Sequence, residues 1–210
     1  MTLRTVHLFI FDTLADWETG YAIAGLNSPQ LGERRYRVVT VGAGADPVTT
    51  MGGLRILPDM RLDELTPEQS AMLILPGGGS WDQGGNTDAV LKGKEFLENG
   101  VPVAAICGAT GGLARLGLLD DRPHTSNALA YLRAYAPDYR GAEHYREELS
   151  VSDGDLITAS GAGAVEFARD IFRKLDVYDD RAIDAWYGLF KTGDPEYFAA
   201  LVEIEESLAR

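Results

Sequence analysis

Short apolar runs recur along this chain, and most are followed by a segment whose apolar residues repeat at helical spacing. Residues 6–11 form such a run, interrupted only by His7. It is too short for a helix and suits a strand covered on both faces. Residues 36–41, 71–75 and 101–106 read the same way. Between them, residues 16–26 carry Trp17, Tyr21 and Ala24 at helical spacing, and residues 87–98 form a helix stopped by Asn99-Gly100. The small-residue stretch 108–117 reads as a helix packed closely on a sheet, and 164–175 places Val165, Ala168, Ile171, Phe172 and Leu175 on one stripe. The tail is helical over 180–191 and again from Asp194, with Pro195 at the first helical position. Two hairpins are expected, over 48–57 around Met51-Gly52-Gly53 (closed by Pro58-Asp59), and over 148–151 with 156–160 around Asp153-Gly154. Alternation of this kind specifies an α/β fold with a mainly parallel central sheet and helices on both faces. No repeat and no long linker interrupts it, so residues 1–210 are expected to form one domain with a helical extension over about 178–210.

Charge and cysteine content narrow the functions. There are 19 Lys and Arg against 32 Asp and Glu, a net charge of −13. A phosphate backbone is repelled by that field, so nucleic acid is not an expected partner. The single cysteine, Cys107, excludes an internal disulfide and a cysteine-based zinc site, and a lone thiol suits a reducing compartment. The apolar start soon meets Asp12 and has no small-residue cleavage site, so neither a signal peptide nor a membrane span is expected and the location is read as cytoplasmic. No cofactor is expected either. In Gly42-Ala43-Gly44 the third glycine slot of a dinucleotide fingerprint is Pro47, and after Gly161-Ala162-Gly163 it is Glu166. His7, His124 and His144 lack metal-ligand spacing, so no metal is expected; His7, inside a buried run, reads as a hydrogen-bonded core or edge histidine.

The chemistry concentrates at strand ends, where ligands bind in open parallel sheets. Asp16-Trp17-Glu18 follows the first strand, Pro76-Gly77-Gly78-Gly79 follows the run 71–75, and Cys107-Gly108 follows the run 101–106. The sequence Ala104-Ala105-Ile106-Cys107-Gly108-Ala109-Thr110-Gly111-Gly112 sets a thiol between a buried strand and a helix start, among small residues only. That is the pattern of a nucleophile elbow, a crowded strand-to-helix turn. A helix N-terminus lowers a thiol pKa, and its free amides can hold an oxyanion. The competing reading of Cys107 is a small buried hydrophobe. For Glu18 it is a carboxylate that merely favours the helix dipole.

These blocks resemble the ThiJ/PfpI superfamily, the family of the Parkinson-disease-associated protein deglycase and a relative of class I glutamine amidotransferase domains. The resemblance spans about residues 4–175 and rests on the order of Trp17-Glu18-Thr19, Asp46-Pro47-Val48, Pro58-Asp59, Leu73–Gly78, Ala104–Gly108, Leu156–Gly161 and Glu166-Phe167-Ala168. It implies a flavodoxin-like three-layer sandwich that forms a homodimer. Carried over by position, Cys107 is the nucleophile, and Glu18 is a protonated acid bonded to its thiolate. Gly78 and Gly108 supply oxyanion-hole amides. One departure stands out. The slot of the family's active-site histidine holds Asn127 in Arg122-Pro123-His124-Thr125-Ser126-Asn127. His124, three residues earlier, is directed by strand alternation to the opposite face. A Cys–His pair then requires His144, or a one-residue shift that brings in His124. Gly108 also replaces the histidine that follows the cysteine in the protease-like branch, so neither a protease nor a glutaminase is expected. The resulting expectation is an enzyme that attacks a small electrophile, a reactive aldehyde or an amide-like group, through Cys107. The alternative is a stress sensor that works by oxidation of Cys107.

Overall fold

The strands of the computed structural model, which describes residues 2–208, fall mostly where the sequence places them. They are β1 (Arg4–Ile10), β2 (Tyr36–Gly42), β3 (Val48–Thr49), β4 (Arg55–Ile56), β5 (Met60–Arg61), β6 (Met72–Leu75), β7 (Val103–Ile106), β8 (Ser150–Asp153) and β9 (Leu156–Ala159). Seven of them form one sheet in the order β5-β2-β1-β6-β7-β9-β8, parallel throughout except for the final β9–β8 pair. The β8–β9 hairpin turns at Gly154, whose φ of 56° lies in the left-handed region that glycine tolerates. β3 and β4 make the separate small hairpin around Met51–Gly53.

The helices are α1 (Asp16–Asn27), α2 (Thr87–Glu98), α3 (Gly108–Arg115), α4 (Leu129–Tyr135), α5 (Ala164–Lys174), α6 (Asp180–Thr192) and α7 (Pro195–Leu208). α1, α5 and α6 pack as one set against β2, β7, β8 and β9, while α2, α3 and α4 form a second set over β6 and β7. The result is an α/β sandwich with a mostly parallel central sheet. β6 and β7 are buried at every residue, as strands covered on both faces require. β5 and α4 were not foreseen. β5 is only two residues long, and Leu132 is the single buried residue of α4, so neither leaves a periodic signal.

The C-terminal helices thicken one helical layer. Trp186 of α6 packs edge-on against Phe172 of α5 and Tyr21 of α1, and Phe190 joins them. Asp179 caps α6 by accepting from the Ala182 amide, and Asp194 accepts from the Glu196 amide at the start of α7. Met1, Ala209 and Arg210 of the expected 1–210 domain lie outside the described residues. Among the described residues, no helix is long and apolar enough to cross a membrane.

Candidate active site

The sheet order explains why distant sequence blocks meet. β1, β6, β7 and β9 are consecutive neighbours and parallel, so their carboxyl ends share one rim. β2 continues the sheet on one side of β1 and β6 on the other, which makes the β1–β6 crevice a topological switch point. Glu18 follows β1, Gly77 and Gly78 follow β6, Cys107 follows β7, and Gly161 follows β9. The first two loops are stitched together. The Ala15 amide donates to the Gly77 carbonyl at 2.9 Å, and Leu14 forms a bridge with Gly78.

Cys107 sits directly before α3 with φ 57° and ψ −122°. A side-chain-bearing residue in that region is strained, and a neighbouring structure must hold it there. Its amide donates to the Ala159 carbonyl at 2.9 Å, and its carbonyl accepts from the Thr110 hydroxyl at 2.6 Å. Gly108 is required by contact, because a Cβ there would stand 2.9 Å from Trp81, which is fully buried. The small residues after the thiol are thus the cost of laying α3 against that indole.

The partners of the sulfur come from three other segments. Asn127 Nδ2 donates to Cys107 Sγ at 3.3 Å, and its Oδ1 accepts from the Gly161 amide at 2.9 Å, which fixes the carboxamide's orientation. Glu18, 1% exposed, faces the thiol and accepts from the Gly77 amide at 2.6 Å. A Cβ on Gly77 would fall 2.6 Å from both Cys107 Cβ and Glu18 Oε2, and one on Gly161 would fall 3.0 Å from Sγ. A pocket of about 190 Å³ opens beside the sulfur, lined by Trp17, Glu18, Gly78, Cys107, Gly108 and Asn127 together with Met51, Asp82 and Tyr131.

Burial raises the Glu18 carboxyl to about 7, against smaller downward pulls from Cys107 and the Gly77 amide. Burial also pushes the Cys107 thiol up to about 12, with the Glu18 charge adding to it, while Asn127 and the Gly108 amide pull it down. The depression expected from the helix N-terminus alone is therefore corrected: desolvation and a facing carboxylate outweigh it. The two groups titrate as one system, losing a first proton near 7 and a second near 12. Between those limits the remaining proton rests mainly on the sulfur, with Glu18 ionised beside it.

His124 and His144 are not brought to the sulfur. His124 is fully buried, its Nδ1–H donating to the Arg122 carbonyl at 2.7 Å and its Nε2 accepting from the Tyr139 hydroxyl at 2.6 Å. His144 lies beside Glu143, 3.7 Å away. No described histidine lines the pocket. His7, as read from its buried run, is hydrogen-bonded, its Nδ1 2.8 Å from the Ser70 hydroxyl. Among the described residues no group of three or more His, Cys, Asp or Glu is placed to hold a metal. The residues missed by sequence reasoning are Gly77, Gly161, Asp82 and Tyr131. Gly161 had a usable signal, since it closes a strand beside the cysteine strand. Tyr131 had none, because it rides on the unforeseen α4.

A parallel α/β sandwich that presents its only thiol on a strained strand-to-helix elbow, against a buried carboxylic acid, is the class of protein defined here. Residues 4–174 match the DJ-1/PfpI family, and the chain belongs to that family. It is 44% identical over 205 residues to a Bacillus subtilis protein named "Uncharacterized protease YoaZ", covering 96% of this chain and 98% of that one. It is 30% identical over 129 residues to Escherichia coli "Protein/nucleic acid deglycase 2", covering 59% of this chain and 72% of that one. The crystal structure of a thiJ/pfpI family protein from Bacillus anthracis superposes with a TM-score of 0.91 at 44% identity, over 98% of this chain and 99% of that chain.

Proposed function

We propose that this protein is a cysteine-dependent enzyme acting on a small electrophilic carbonyl, with Cys107 as nucleophile and Glu18 as proton relay. The observation that carries the reading is geometric: the only thiol stands on a strained elbow facing the buried carboxyl of Glu18, which burial raises to about 7. A general acid or base works best when its pKa lies near the working pH. As Sγ bonds to the carbonyl carbon, the thiol proton passes to the Glu18 carboxylate and the carbonyl π bond opens onto oxygen. The Gly78 and Gly108 amides, which line the same pocket, hold that oxygen as it becomes negative. Glu18 then returns the proton to it, giving a neutral thiohemiacetal from an aldehyde. Asn127 supports the sulfur while it is charged.

The relay being a carboxylic acid separates this reading from peptide hydrolysis. Amide cleavage must protonate an amine leaving group, a task that cysteine proteases give to histidine. The deglycase name of the E. coli relative accords with chemistry on small carbonyl adducts. The family resemblance carries the proposal of a homodimer, and the lone thiol carries that of a reducing, cytoplasmic setting.

The test is turnover of a panel of glyoxals, small aldehydes and amides by wild type and by Cys107→Ser. Turnover of at least one member, lost at least 100-fold in the variant, is the expected result. Equal turnover by the variant overturns the assignment. If no member turns over while mild peroxide adds two oxygens to Cys107, oxidation of the thiol replaces catalysis as its role.

A further inference from the structure

The pocket beside Cys107 is electrically one-sided. Its lining includes Gly78 and Gly108, the latter at the start of α3, together with two carboxylic acids, Glu18 and Asp82, and no described Lys, Arg or His. Asp82 is exposed and sits in the single turn Trp81–Gln83, directly after the loop that closes β6. The Tyr131 hydroxyl donates to its Oδ1 at 2.7 Å, and both residues line the pocket. Burial and the Asp82 charge hold the Tyr131 hydroxyl well above the ordinary tyrosine range, so it stays a donor and adds no second anion. Trp17, next in sequence to the buried Glu18, is 57% exposed and lines the same pocket, offering an indole face of the kind that attracts cations.

We propose that the site selects electrophiles that carry a positive charge, with Asp82 and Trp17 receiving an ammonium or guanidinium group while the reacting carbon sits at Cys107. The proposal rests on the reactive thiol argued above and names its substrate class. A molecule with a carbonyl at one end and a cation at the other matches both poles of the pocket. An anionic tail meets Asp82 with no basic lining group to offset it. Asp82 is solvated, so its pull amounts to roughly five- to thirty-fold in rate at low salt and fades as salt is added.

The test uses Cys107 as the only thiol in the chain. Its labelling rate is measured with two methanethiosulfonates of matched length, one bearing trimethylammonium and one bearing sulfonate, each normalised to its rate with a small free thiol. The whole molecule, at −13, favours the cation by itself. Asp82→Asn therefore runs beside Asp121→Asn, which removes the same charge at an 86% exposed side chain outside the pocket. The expected result is a normalised cation-to-anion ratio that falls at least five-fold in Asp82→Asn and stays within two-fold of wild type in Asp121→Asn. Equal ratios in the two variants, with Cys107 labelling readily, overturn charge selection at Asp82 and leave the nucleophile standing. Failure of every reagent to label native Cys107, with labelling restored in denaturant, overturns both.

Discussion

The proton between Glu18 and Cys107 sets how the thiol reacts. With the proton on sulfur, Glu18 is a buried carboxylate whose charge opposes the thiolate; with the proton on Glu18, the acid becomes a donor and that opposition ends. Glu18 is ionised above about 7 while the thiol keeps its proton up to about 12, so thiolate is scarce in the resting site near neutral pH. Iodoacetamide labelling of Cys107 should rise with pH through a midpoint above the ordinary thiol value of about 8.5. In Glu18→Leu the facing charge is gone while burial of the sulfur persists, so the midpoint should move down. A wild-type midpoint at or below the ordinary value, or no downward shift in the variant, contradicts a thiol held up by burial and the Glu18 charge.

The elbow is a conflict between backbone and side chain, resolved by its neighbours. Cys107 holds φ 57° and ψ −122°, a region natural to glycine, because the Ala159 carbonyl fixes its amide and Trp81 fixes the start of α3. Strain of this kind costs about 1–3 kcal/mol. Glycine at position 107 should therefore be more stable than alanine, by about 1 kcal/mol, reversing the order found within ordinary helices and strands. Urea unfolding of Cys107→Gly and Cys107→Ala measures the difference. If alanine is the more stable, the elbow is not strained.

Across the whole molecule two buried groups pull the pH dependence of stability in opposite directions. Glu18 is raised from 4.5 to about 7, so folding takes up a proton in that window; its stabilising share is full below 4.5 and is lost as pH rises through 7. His7 is lowered from 6.5 to about 4, by burial first and by Arg37 second. Its share is full above 6.5 and is lost as pH falls towards 4. Between about 4.5 and 6.5 the two slopes oppose each other. His7→Gln removes one of them, so the variant should gain on wild type by on the order of 2–3 kcal/mol between pH 7 and pH 4.5. Denaturant titrations at the two pH values check this, and a gap independent of pH contradicts a neutral buried His7.

Elements with their own periodicity could be read before any coordinates. β1, β6 and β7 are continuous apolar runs, α5 is a clean stripe, and Gly154 marks its hairpin, because burial on both faces or on one imposes a local pattern. Cys107 was legible for a similar reason: the crowding of an elbow demands small residues next to it in sequence. Of the sulfur's surroundings, Glu18, Gly78, Gly108 and Asn127 were legible only through the family resemblance. Asp82 and Tyr131 reach the pocket, and Gly161 orients Asn127, from segments that only the strand order brings together, and no local rule encodes strand order. His124 shows the same division, since its sequence position left it as a possible base while packing with Tyr139 and Tyr145 took it elsewhere. The thiol pKa belongs to the same side. A helix start can be seen along the chain, but desolvation and a carboxylate from a helix 90 residues away act through space, and only the folded chain sets those distances.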